Sequence, residues 1–95
     1  MIHKIKVDVL GDSGKGRYRL KVSVFDVGIH IMGMLVQNSI VPGEKWYVTT
    51  PAHKVGAKYY KDITFDTNQP LWEEVQTACI KQIEAYLEME PIIKP

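Results

Sequence analysis

In the run Arg17-Tyr18-Arg19-Leu20-Lys21-Val22-Ser23-Val24, polar and apolar residues alternate without a break. Successive side chains of a β-strand point to opposite faces. Tyr18, Leu20, Val22 and Val24 therefore line one face, and Arg17, Arg19, Lys21 and Ser23 the other. The first face is a core surface and the second a basic stripe.

Working outward, His3, Ile5, Val7 and Val9 alternate with Lys4, Lys6 and Asp8 in an earlier strand. The glycine-rich segment Gly11-Asp12-Ser13-Gly14-Lys15-Gly16 turns the chain back between the two. On the other side, Asp26-Val27-Gly28 leads into a third strand, Ile29 to Gln37. It is apolar on both faces, Ile29, Ile31 and Leu35 against Met32, Met34 and Val36, which fits a central position or one under a partner. Gly33 inside it marks a bulge or a close backbone approach. Residues 38–45 read as a loop. Trp46 to Thr50 is a short strand that Pro51 stops, Ala52 to Gly56 a second loop, and Lys58 to Phe65 a last strand.

The period then lengthens to 3.6. Asp66-Thr67-Asn68-Gln69 offers caps, and Pro70 suits a first helical turn. Leu71, Val75, Ala78, Cys79, Gln82, Ile83 and Tyr86 share one helix face, with Trp72 at its margin; Glu73, Thr77, Lys81, Glu84 and Glu88 lie opposite. Pro91 ends the helix near Glu90. The expected fold is α+β: an antiparallel sheet of about five strands followed by one C-terminal helix packed on the sheet. Residues 1–90 form one domain and 91–95 a short flexible tail.

Composition narrows the class. The chain has 95 residues, 45% hydrophobic and 24% charged, too apolar for a disordered chain and without the ~20-residue apolar run of a membrane helix. Its start, Met-Ile-His-Lys-Ile-Lys, lacks the apolar stretch of a secretory signal. One cysteine excludes an internal disulfide and a multi-cysteine zinc site. A cytoplasmic location is expected. The net charge of +1 hides a gradient: residues 1–65 hold ten Lys/Arg against five Asp/Glu, and residues 66–95 hold two against six. A polarised surface of this kind suits an anionic partner. A domain this small buries only ~60–65% of its unfolded surface. The doubly apolar third strand and the broad apolar arc of the helix then favour a second copy as partner.

Several motifs fail on inspection. Gly11-Asp12-Ser13-Gly14 shares letters with a serine-protease nucleophile, but the triad is a matter of geometry and this chain is too short for that fold. Gly14-Lys15 departs from a phosphate loop at Gly16, and no helix follows to supply a dipole. His3, His30 and His53 are far apart and lack metal-ligand spacing. Cys79, on the apolar helix face, reads as a buried small hydrophobe. Glu73, Glu74, Glu84 and Glu88 read as a solvated face, with Glu73 and Glu74 suited to the helix dipole. The expectation is therefore no enzyme, no catalytic residue, no metal, no cofactor, no membrane and no small-molecule substrate.

The basic stripe carries the candidate site. Arg17, Arg19 and Lys21 share a strand face beside Lys4 and Lys6; His53, Lys54, Lys58 and Lys61 add cations later, with Tyr47, Tyr59 and Tyr60 near by. Cations bind phosphates without reading sequence, and tyrosines stack on exposed bases. A solvated face whose lysines protect sheet edges fits the spacing as well.

Gly16 to Asp26, then Ile29 to Val36, Trp46-Tyr47-Val48-Thr49-Thr50-Pro51 and Tyr60-Lys61-Asp62-Ile63 follow one another in an order that resembles the SpoVG family, the bacterial stage V sporulation protein G or septation proteins. The resemblance spans roughly residues 2–88. It implies a small homodimeric α+β regulator that binds DNA or RNA, with Ala52-His53-Lys54 corresponding to the family's basic loop. The expected nucleic-acid-binding residues are Arg17, Arg19, Lys21, His53, Lys54, Lys58 and Lys61. That loop carries fewer cations than is usual in the family and the helix is acidic. A protein-interaction module that kept the fold is therefore one alternative. A single-stranded nucleic-acid-binding protein of the sheet-plus-helix coactivator type is another.

Overall fold

Alternation in the first three segments produces three long strands. The computed structural model describes residues 3–12, 16–66 and 69–93. It contains β1 (Ile5–Asp12), β2 (Arg17–Val24), β3 (Ile29–Asn38), β4 (Trp46–Thr49), β5 (Ala52–Val55), β6 (Lys58–Lys61) and α1 (Pro70–Ile93). β1 to β4 form an antiparallel sheet in sequence order, and β5 pairs only with β6. The protein is thus α+β, with a four-stranded sheet, a separate two-stranded sheet and one C-terminal helix on the larger sheet.

The register shows why β3 looks apolar on both faces. Leu20 pairs with Met34, but the next residue, Lys21, pairs with Met32. Gly33 is the extra residue of a bulge, at φ 85°, a backbone conformation that costs a side-chain-bearing residue but not glycine. The bulge shifts the phase by one. Ile31 before it and Met34 and Val36 after it therefore all reach the same covered face. β3 is also central, between β2 and β4. A second bulge, at Leu10, interrupts β1.

The core lies between this face and the helix. Val7, Tyr18, Leu20, Val22, Val24, Ile31, Met34, Val36 and Val48 meet Val75, Cys79 and Ile83 of α1. The three helix residues stand four apart, so they stack on one stripe. Leu71, Ala78 and Tyr86 flank the stripe half-buried as the sequence pattern implies, with Trp72 at its margin; Gln82, expected on it, is exposed, and Ile80 and Leu87 join it half-buried instead. Tyr18 anchors the open end, edge-on to Trp46 and to Tyr86, each with ring centroids 6.1 Å away. Burial pushes the Cys79 thiol up to about 12, because the thiolate would lose its water.

Four local expectations change. Glu74 does not join the solvated helix face. It accepts the His3 backbone N–H at 3.0 Å and lies 2.9 Å from His3 Nδ1, tying the start of β1 to the helix. Residues 52–55, expected as a loop, form a strand, and Gly56, at φ 63°, reverses the chain into β6. The last strand stops at Lys61 instead of Phe65, because Ile63 and Phe65 leave it to pack against the core. The helix also runs past Glu90 to Ile93; proline's fixed φ is itself helical, and its missing N–H and its ring's crowding of the i−4 carbonyl fall at the helix end. Ser13, Gly14 and Lys15 of the glycine-rich segment, Thr67 and Asn68 among the caps, and residues 94 and 95 of the expected tail lie outside the described residues. Among those described, no helix is long and apolar enough to cross a membrane.

Candidate nucleic-acid interface

The helix covers one face of the four-stranded sheet, leaving the other open. Arg17, Arg19 and Lys21 stand in a row on that open face: the arginines are exposed and Lys21 half-buried. Pairing sets their surroundings. Lys21 lies across from Asp8 of β1 and Met32 of β3, Arg19 across from Gly11 and Leu35, and Arg17 across from Gln37. Leu10, Met32, Leu35, Pro51 and Ala52 surround Arg19 in a shallow hollow. The row is therefore cationic along its length but flanked by apolar side chains and by two carboxylates, Asp8 opposite Lys21 and Asp12 in a hollow shared with Arg17 and Arg19. Beyond it, His30 Nδ1 lies 2.9 Å from the buried Ser23 hydroxyl, which gives that polar group a partner.

His53, Lys54, Lys58 and Lys61 are carried by the β5–β6 ribbon. All eight of its strand residues are exposed, and its strands pack on neither the helix nor the larger sheet. Register divides the cations between its faces. Lys54 is paired with Tyr59, and Ala52 with Lys61, on one face; His53 with Tyr60, and Val55 with Lys58, on the other. Lys54 Nζ lies 5.7 Å from the Tyr59 ring centroid, and the His53 and Tyr60 rings stack at 5.8 Å. An exposed cation–π pair contributes only ~0.5–1 kcal/mol, so a phosphate competes readily for Lys54. At the ribbon's base, His53 Nδ1 lies 2.5 Å from Asp62 Oδ1, and the Asp62 backbone N–H donates to the Pro51 carbonyl at 2.8 Å.

The seven candidate residues thus fall into two groups, three on the open face and four on the ribbon. They adjoin where Ala52, at the ribbon's base, shares the hollow with Arg19. Among the described residues, no three His, Cys, Asp or Glu side chains cluster to hold a metal.

One feature escaped the sequence reading. A cleft of about 280 Å³ opens between β4, the segment after β6 and the first turns of α1. Thr50 lines it, is 8% exposed, and its hydroxyl finds no partner within the described chain. A buried hydroxyl left in this way costs ~1–3 kcal/mol. Phe65 and Trp72 stack in its wall with centroids 4.9 Å apart. Nothing in the alternation around Thr50 signals it; the only hint is the strand-stopping Pro51 that follows.

The fold and the site define a class: an α+β body of one sheet and one helix that bears a basic, aromatic β-ribbon. No family model, no curated protein and no solved structure matches this chain.

Proposed function

We propose that this chain is a homodimeric, SpoVG-like nucleic-acid-binding regulator that holds phosphates through the β5–β6 ribbon and the open sheet face. The observation that carries this reading is the ribbon: eight exposed residues supply three lysines, a histidine and two tyrosines on a projection that serves no core. A two-stranded ribbon is narrow enough to enter a duplex major groove, and its tyrosines can equally stack on the bases of a single strand. Arg17, Arg19 and Lys21 extend the cationic track from the ribbon's base. Contacts of this type supply affinity and position more than sequence choice.

Fluorescence anisotropy with labelled duplex DNA, single-stranded DNA and RNA tests the reading at two salt concentrations. Binding should weaken with salt at a log–log slope of roughly −0.7 to −0.9 per phosphate engaged. Arg19→Glu and Lys54→Glu should each weaken it several-fold; binding untouched by both would falsify the surface assignment.

A second reading has its own observation. The open face exposes Leu10 and Met32, 40% and 58% accessible, around Arg19. Exposed apolar side chains gathered on one face are what a protein partner or a second copy covers. Retention of a protein by the purified chain, with no nucleic acid bound at low salt, favours the interaction module. Sedimentation of Met32→Asp separates the cases: a dimer that dissociates places the second copy on this face and leaves the ribbon as the free phosphate surface.

A further inference from the structure

We propose that the cleft between β4 and α1 takes one nucleotide, its base against the Phe65–Trp72 pair and its phosphate at Lys61. The nucleotide is one unstacked unit of a single strand, so this inference rests on the nucleic-acid reading and sharpens it.

Four observations converge on that ligand. The first is the aromatic wall. Phe65 and Trp72 are stacked on each other at an interplanar angle of 25°, both half-buried, and both line the cleft. A flat heterocycle extends such a stack, and stacking of this kind accepts any base. The second is the polar complement. Among the described residues the buried Thr50 hydroxyl has no partner, and Thr49 and Gln76 line the same cleft. Hydroxyls and a side-chain amide offer donors and acceptors together, as the edge of a base requires and an apolar ligand does not. The third is charge. Among the described residues, Lys61 is the one charged side chain lining the cleft and no carboxylate does, which suits a ligand with an anionic group. The fourth is size. About 280 Å³ lies just below the ~300–1,000 Å³ range of ligand pockets, which limits the occupant to a single base with its phosphate at the rim.

The ribbon leads to this cleft. Tyr59 and Lys61 stand two apart on β6 and share a face, and Lys54 lies across from Tyr59 on that same face. A strand following Lys54, Tyr59 and Lys61 runs along the ribbon and delivers a base to the aromatic wall. A base paired and stacked within a duplex is not free to enter, so the cleft selects single strands.

The test uses tryptophan emission and anisotropy on the whole chain. Adenosine 5′-monophosphate should quench emission in the parent protein but not in Trp72→Phe, while inorganic phosphate at equal ionic strength should leave it unchanged. Thr50→Val removes the hydroxyl at nearly constant shape. It should melt no lower than the parent and bind a labelled single-stranded oligonucleotide ~5- to 10-fold more weakly, with Thr50→Ser restoring affinity. Lys61→Gln, at an exposed site that folding does not need, should weaken the same probe. A folded Thr50→Val protein that binds both probes like the parent overturns the cleft. If the oligonucleotide still binds in a manner sensitive to Lys54→Glu, the ribbon reading survives that failure. Quenching by the mononucleotide that Thr50→Val abolishes, with no strand or duplex bound, overturns both the ribbon and the single-strand occupant proposed here and leaves a site for a free nucleotide.

Discussion

The body of the molecule and its ribbon are both antiparallel β-structure, yet they use side chains for opposite ends. In the body, nine sheet residues and three helix residues are buried in one cluster. In the ribbon every strand residue is exposed, and Val55, Tyr59 and Tyr60 show their apolar surface to solvent. Burial holds the body together, at ~1.5–3 kcal/mol for each large apolar side chain withdrawn from water. A lone two-stranded hairpin is marginal at best. The ribbon keeps its shape through the turn at Gly56, its tether at Asp62 and its ring contacts. The difference teaches where selection for chemistry can act: a ribbon residue can change without loss of the fold, and a core residue cannot.

The contrast breaks most visibly at the centre of the body. Leu20 is fully buried, and Leu20→Ala should cost ~2–5 kcal/mol through lost burial and the cavity left behind, read as a lower midpoint in urea. A loss below 1 kcal/mol would mean that the sheet–helix layer is not the seat of stability.

The two regions also carry the same backbone feature, which allows a matched comparison. Gly33 in the body and Gly56 in the ribbon both have positive φ, 85° and 63°. Adding a Cβ at Gly33 meets only Pro51 at ordinary contact distance, 3.8 Å, and at Gly56 meets nothing, so the penalty in each case is backbone strain of ~1–2 kcal/mol. Gly33→Ala should lower global stability by that amount. Gly56→Ala should lower it by less, because the ribbon can open locally and release the strain. Faster amide exchange confined to residues 52–61 is the expected signature, and equal global losses would show that the ribbon unfolds with the body.

Cys79 gives the body a pH dependence. Its folded pKa is raised from 9.0 to about 12, so above pH 9 the unfolded chain loses a proton that the folded chain keeps. Stability therefore falls as pH rises from about 9 towards 12, by up to ~1.4 kcal/mol per unit. Cys79→Ala should flatten that slope relative to the parent, and the thiol should resist alkylation until the protein unfolds.

The smallest effect on stability belongs to the ribbon face. Lys54→Ala and Tyr59→Ala should each change it by no more than ~0.5 kcal/mol, while oligonucleotide affinity falls several-fold and Lys54→Ala reduces the salt slope by roughly one phosphate. A melting temperature that drops as far as in Leu20→Ala would erase the distinction between the regions.

The legible parts of the molecule are those whose signal is local. Tyr18, Leu20, Val22 and Val24 announce the covered face of β2 because a strand's period of two depends only on the residues themselves. Val75, Cys79 and Ile83 announce the helix stripe for the same reason at 3.6. Gly33 was legible as a bulge or a close backbone approach; the register makes it a bulge and shows how Ile31 and Met34 come to share a face. β5 was not legible: Ala52-His53-Lys54-Val55 has no buried face to impose alternation, and its pairing with β6 is set by the turn at Gly56. The candidate cations are legible one by one in the sequence, but their division into a row on the sheet and two faces of a ribbon is set by register.

The amino-acid sequence by itself determined an α+β chain with a basic front, an acidic helix and an inward-facing Cys79, since composition, charge order and hydrophobic period are properties of neighbours along the chain. Only the tertiary structure decided that Glu74 pairs with His3, that residues 52–61 stand away from the core, and that Thr50, Phe65 and Trp72 enclose a cleft. Each of these joins residues distant in sequence or depends on what packs above them, and burial of that kind is set by the whole fold, not by the residues on either side.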